Sequence, residues 1–216
     1  MKGSDRPEHR RNSRELQRAA TRQRLLAAAV ASLVELGVAR TTTLEVQKRA
    51  GVSRGALLHH FSTHAELLAS TVAELVRRNE QAVARMQALH RSEKDPVVRA
   101  IKCLADTTIQ PSFMAELELW AVARTDTQLR EALLTAERGA RDDHERVIEE
   151  LFASVRDRPA YAQVVALTTD FARGLALSGV LRSDPGERKR RLASWIWAVR
   201  ILLEQTEPPA DARPPR

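Results

Sequence analysis

From about Arg14 the apolar positions fall three and four apart. Leu25, Leu26, Ala29, Val30, Leu33 and Leu36 make one helical stripe, which Gly37 ends as a C-terminal cap. Thr42 followed three residues later by Glu45 forms a capping box, so a short helix is predicted from there to Ala50. Gly51-Val52-Ser53 breaks it, and Ser53 is placed to cap a third helix. On that helix Leu57 and Phe61 share one face, while Arg54, Leu58 and His59 share another. Thr63 with Glu66 makes a second capping box, opening a helix that runs through Leu67, Leu68, Val72, Leu75 and Val76 to about Leu89. After an interruption at Ser92 to Pro96, helical periodicity returns over 96–109, 111–124, 127–155, 160–181 and 187–205, punctuated by Pro111, Asp126, Pro159 and Pro185-Gly186. Period-two alternation is hard to find. The expectation is an all-α fold of about nine helices.

Two short helices joined by a glycine-bearing turn describe a helix-turn-helix. Four segments follow: a flexible basic arm over 1–13, a helix-turn-helix domain over 14–62, a helical domain over 63–205, and a proline-rich disordered tail over 206–216.

Composition supports this division. The chain is 43% hydrophobic, 29% charged and only 4% aromatic, the balance of a globular protein. Its net charge of +7 is not spread evenly. Residues 1–65 hold 12 Lys+Arg against 5 Asp+Glu, whereas residues 66–216 hold 23 of each sign. One end of the chain is therefore suited to a polyanion and the rest is not. No apolar stretch approaches the roughly 20 residues that span a bilayer, and the N-terminus lacks a signal-peptide core, so a cytoplasmic protein with no membrane partner is expected. Cys103, the single cysteine, excludes an intrachain disulfide and reads as a small buried residue.

In a helix-turn-helix the second helix enters the DNA major groove and its first residues face base edges. Arg54 is the candidate for base readout, because a guanidinium can pair with guanine O6 and N7 together. The helix start at Thr42 can offer backbone N–H groups to a phosphate. Arg14, Arg18 and Arg22 form a basic stripe on the first helix, with Arg24 nearby.

From Leu25 through Leu68 the sequence resembles the TetR family of bacterial regulators. The run TTTLEVQKRAGVSRGALLHHFSTHAELL carries the resemblance, including Thr42, Ala50-Gly51-Val52-Ser53, Gly55, His60-Phe61 and Leu67-Leu68. Face and resemblance together nominate Arg22, Thr42, Thr43, Arg54, Gly55, Ala56, Leu58, His59, His60 and His64 for double-stranded DNA. The chain departs from the family pattern at Leu58, where an aromatic residue is usual, at His64, where lysine is usual, and at Gln47, where alanine is usual. The resemblance implies that Leu58 and His64 replace common phosphate contacts, which throws weight onto Arg54, Arg22 or Arg24, and the arm.

The resemblance also implies a homodimer joined through the last two long helices, and a small-molecule site in the domain between. Val164, Thr168 and Leu175 on 160–181, with Leu192, Trp195 and Val199 on 187–205, are the dimer candidates. Cys103, Phe113, Met114, Leu117, Trp120 and Phe171 are the pocket candidates, and they suit an apolar or aromatic effector. The basic run Arg188 to Arg191 falls at a helix start, where the helix dipole disfavours it, and reads as solvated. His60 and His64 have metal-ligand spacing beside His59, but Phe61 to Thr63 ends the helix, so no metal is expected. No cofactor motif, nucleophile elbow, phosphate loop or Ser/His/Asp constellation occurs, so the chain is not expected to be an enzyme. The leading expectation is a repressor released by its effector. The alternative is a ligand-binding or interaction protein whose DNA binding is weakened or lost.

Overall fold

The structure is a computed structural model describing residues 5–182 and 184–204, with side chains placed except those of residues 5–12, Ala140, Asp143 and His144. The expected tail lies outside the described residues, as does the very start of the expected arm. Nine α-helices are described: α1 (Asp5–Leu36), α2 (Thr43–Ala50), α3 (Arg54–His60), α4 (His64–Leu89), α5 (Pro96–Thr107), α6 (Pro111–Ala123), α7 (Thr127–Leu151), α8 (Tyr161–Leu181) and α9 (Pro185–Glu204). Single 3-10 turns follow α1 at Val38–Arg40 and α7 at Ala153–Val155. No strand occurs among the described residues.

Most helix boundaries follow from local chemistry. Thr42 Oγ1 accepts the Glu45 N–H at 3.2 Å, Ser53 Oγ accepts the Ala56 N–H at 3.2 Å, and Thr63 Oγ1 accepts the Glu66 N–H at 3.0 Å. Asp95 caps α5 through the N–H groups of Val97 and Val98, with Pro96 in the first turn. The first helix is a correction. It starts at Asp5, not near Arg14, so most of the expected flexible arm is helical. Asp5, Pro7 and Glu8 explain this, because acidic residues and proline suit a first helical turn.

By packing, the chain divides into two compact units. One takes the chain up to Leu75 together with Ala115–Arg138; the other takes Val76–Met114 and the chain from Gly139 onward. The packing division therefore does not follow a single cut at residue 62, because α4, α6 and α7 each contribute to both units. In the first unit Leu25, Ala29, Val46, Leu57, Phe61 and Leu67 form a buried core that fixes α1, α2, α3 and the start of α4. In the second, Ile101, Leu104, Phe152, Val164, Ala172 and Val199 bring α5, α8 and α9 together.

The exposed apolar residues correct another expectation. Val164, Thr168, Leu175, Leu192 and Val199 are buried within the chain itself, and Trp195 is half-buried, its ring stacked 4.9 Å from Phe171 and its indole N–H donating to Thr168 Oγ1 at 3.2 Å. These dimer candidates face the chain's own core. The sequence pattern misleads because α8 is apolar on nearly every side, so either face meets the expectation of a buried stripe. By length and composition α8 is even apolar enough to cross a membrane, contrary to the reading of the sequence. It carries Asp170 and Arg173 and packs one side on α5 and α9. It leaves Leu167, Leu177, Val180 and Leu181 exposed, and α9 exposes Trp197 and Ile201.

Candidate nucleic-acid interface and effector cavity

The α2–turn–α3 segment is built on two backbone devices. Gly51 adopts φ +63°, and the pair Val52 N–H to Gln47 carbonyl and Gly51 N–H to Lys48 carbonyl closes α2 in a Schellman motif. The chain then reverses into α3 within three residues. Before α2, Gly37 adopts φ +77°, and the adjacent Val38 N–H donates to Glu118 Oε1 of α6 at 2.8 Å. Thr41, fully buried, donates its hydroxyl to the Gly37 carbonyl at 2.8 Å. Arg49 of α2 pairs with Glu35 of α1 at 2.8 Å. The segment is thus held at both ends.

On this frame Leu57 and Phe61 are buried, and Arg54, Gly55, Leu58 and His59 face solvent. The outward face has the composition expected of a recognition helix. Thr42 is exposed at the α2 cap, Thr43 is half-buried behind it, and Ala56 and His60 are half-buried at the edge of the α3 face. His60 packs edge-to-face on His59 with ring centres 5.5 Å apart. Burial, followed by the charges of His59, Arg18 and Arg22, pulls the His60 imidazole below its ordinary value. The same burial and neighbouring cations disfavour its charged form. Because α3 ends at His60 and α4 begins at His64, the two do not share one helix face.

Two nominated residues are occupied. The Arg22 guanidinium lies 5.1 Å over the Phe61 ring and donates to Ser70 Oγ at 3.3 Å. His64 Nε2 lies 2.7 Å from the Thr41 carbonyl, so in the tautomer protonated there it clamps the residue before the α2 cap. Sequence reasoning did not find Ser70 or Glu118. Nothing in a linear pattern pairs residues 48 or 80 positions apart.

In the second unit a cavity of about 360 Å³ opens beside the α8–α9 turn, walled by Ile109, Met114, Leu175, Ala176 and Val180 and edged by charged residues of α9. Of the six pocket candidates only Met114 lines it. Cys103 is sealed in the core, where burial pushes its thiol up to about 11. Phe171 borders a neighbouring groove with Trp195. Phe113 is half-buried, and Leu117 and Trp120 belong to the other unit. A list of apolar residues on central helices does not distinguish a cavity wall from packed core.

Residues 25–71 match the model of "Bacterial regulatory proteins, tetR family". The HTH-type transcriptional regulator CymR of Pseudomonas putida is 32% identical over 171 residues, which cover 76% of this chain and 81% of CymR. The chain belongs to the tetR family. An uncharacterised HTH-type transcriptional regulator of Mycobacterium tuberculosis is 36% identical over 110 residues, 51% of this chain, and the match spans only 56% of that relative. Among solved structures, the multidrug binding protein EbrR complexed with ethidium shares the fold at a TM-score of 0.56 and 22% identity, covering 83% of this chain and 97% of EbrR. The matched residues place the family's N-terminal segment on the end of α1, α2, α3 and the start of α4. The family pattern also puts the departures in context. At Leu58 the chain keeps an outward side chain that cannot hydrogen-bond, and at His64 it replaces the usual lysine with a ring whose Nε2 is turned to the chain's own backbone.

Proposed function

We propose that this tetR-family regulator is a cytoplasmic homodimeric repressor whose hold on its operator is released by a small molecule. The observation that carries this reading is the anchored α3 with Arg54, Leu58 and His59 turned outward. Arg54 reads a guanine, Gly55 and Ala56 allow close approach to the groove, and the α2 start at Thr42 and Thr43 holds a phosphate. Leu58 meets a thymine methyl, and Arg22 braces Phe61 as much as it approaches DNA. The exposed apolar residues of α8 and α9, Leu177, Leu181 and Trp197 among them, are what a second copy would cover in a four-helix interface. EbrR binds ethidium, and the cavity here has the volume of a small-molecule site, about 300–1,000 Å³. An occupant favouring a dimer whose recognition helices no longer match successive major grooves, about 34–36 Å apart, would release DNA.

A reporter fused to the promoter beside the chain's own gene, in a heterologous host, tests this. Expression of the chain should lower reporter output, the Arg54→Ala chain should not, and added compounds that occupy the cavity should restore it. Rising output with the wild-type chain makes it an activator. Unchanged output with folded chain present favours the reading as a ligand-binding protein without DNA binding, which the engagement of His64 with Thr41 supports.

A further inference from the structure

The geometry points to an amphipathic carboxylate, an organic acid with an apolar body, as the occupant of the cavity beside the start of α9. Its regulatory meaning rests on the reading of that cavity as an effector site; its binding does not. Four consecutive cations, Arg188, Lys189, Arg190 and Arg191, occupy the first turns of α9, at the end of a helix that is already electropositive. The sequence suggests that all four are solvated. In the structure Lys189 and Arg190 are exposed, but Arg188 and Arg191 line the cavity, their side chains 30% and 38% exposed. Arg182, from the end of α8, lines it as well.

The carboxylates present do not use up this charge. Asp184 and Glu187 also line the cavity, but Asp184 accepts the Gly186 N–H at 2.8 Å and lies 3.6 Å from Arg190, while Glu187 pairs with Arg191. Arg188 directs Nη2 to the Ala105 carbonyl and to Asp106 Oδ1, and the other oxygen of Asp106 faces His90 Nε2 at 2.8 Å, so that carboxylate is shared. The Nε–H of Arg188 is buried without an acceptor. Arg182 has no carboxylate partner among the described residues. Ile109, Met114, Leu175, Ala176 and Val180 supply the apolar part of the lining. A neutral apolar ligand would leave the guanidinium edge unanswered, and a cation would be repelled by it. A carboxylate can accept paired N–H groups from a guanidinium fork while its hydrocarbon lies on the apolar wall.

Titration calorimetry of the full chain, without DNA, against octanoate, octanol and octylammonium tests the assignment, because the three share one hydrocarbon body and differ only in charge. Octanoate should bind at least tenfold more tightly than octanol, with octylammonium weakest. Arg191→Gln and, separately, Arg188→Gln should each bring octanoate close to octanol, whereas Lys189→Gln, a neighbouring cation that does not line the cavity, should keep the preference. Circular dichroism melting checks that each variant is folded, and Arg191→Gln carries the test if loss of the Asp106 contact unfolds Arg188→Gln. Equal binding of the three probes, preference for octylammonium, binding of none, or an octanoate preference that survives Arg191→Gln overturns the assignment. Octanoate binding as expected, in a chain that without any ligand binds no operator DNA, would overturn the repressor reading alone.

Discussion

Arg54 begins α3 with its side chain in solvent, so replacing it removes the proposed base contact and almost no packing. Arg54→Ala is expected to weaken binding to the operator by about 1–3 kcal/mol, roughly five- to 150-fold. Folding stability should stay within about 0.5 kcal/mol of wild type. Fluorescence anisotropy reads the first and urea unfolding the second; a destabilised variant would show that Arg54 holds the fold. Cys103 is the opposite case. Buried among Val83, Ile101 and Leu104, with its Sγ 3.5 Å from the Val83 carbonyl and its thiol pushed up to about 11, it should not react with a disulfide reagent at pH 8 while the chain is native. Complete reaction should appear only in denaturant. Rapid labelling of native protein would contradict the described burial.

At the scale of elements, the turn between α2 and α3 governs whether the recognition helix is presented. Gly51→Ala places a Cβ at φ +63°, which costs about 1–2 kcal/mol. Nothing lies within 4 Å of that Cβ, so the cost is backbone strain and not a clash. Ser53→Ala removes the α3 cap and costs about 1 kcal/mol. Both should lower the melting temperature and weaken DNA binding, Gly51→Ala more than Ser53→Ala, and the reverse order would argue against the Schellman turn as the organising feature. In the second unit Asp95 ties the start of α5 to Arg200 of α9 at 2.8 Å. Although burial opposes ionisation, the Val98 N–H, Arg200 and the Val97 N–H hold its carboxyl below the usual range. A depressed carboxyl stabilises the fold above its unfolded value and loses that contribution as pH falls through the folded one. Asp95→Asn should therefore lower stability at pH 7 and flatten its acid dependence below about pH 4, the ordinary aspartate value. Melting curves from pH 3 to 7 measure this, and an unchanged acid dependence would remove Asp95 from the account.

The same scale shows what the sequence made legible. Thr42, Ser53, Thr63 and Pro96 mark helix starts by bonds or geometry within three residues, so the sequence placed α2, α3, α4 and α5 to within a residue or two. The start of α1 was missed although Asp5, Pro7 and Glu8 announced it, because basic, polar residues suggested a solvated coil. The cavity and the inner faces of α8 and α9 were not legible. Both depend on which side of an apolar helix meets its neighbours, and α8 offers no polar stripe to decide it.

At the scale of the molecule, the positive excess lies within residues 1–65, and α1 carries Arg14, Arg18, Arg22 and Arg24 on an exposed stretch of helix. DNA affinity should fall steeply with salt, and deleting residues 1–13 should shrink that slope, since each phosphate neutralised contributes about 0.9 to it. An unchanged slope would exclude the arm from the interface. Leu177→Arg or Trp197→Arg places a charge on exposed residues of α8 and α9 and should break the proposed dimer in sedimentation velocity while leaving the fold intact, since neither side chain contributes to the chain's own core. A dimer that persists in both would put the interface elsewhere.

The most direct test of the central claim is an anisotropy titration of the full chain against a duplex from the DNA beside its own gene and against a scrambled duplex of equal length, at physiological salt. The account predicts that the native sequence is preferred by about 10³-fold or more. A folded dimer that binds both duplexes equally, or neither, would contradict it.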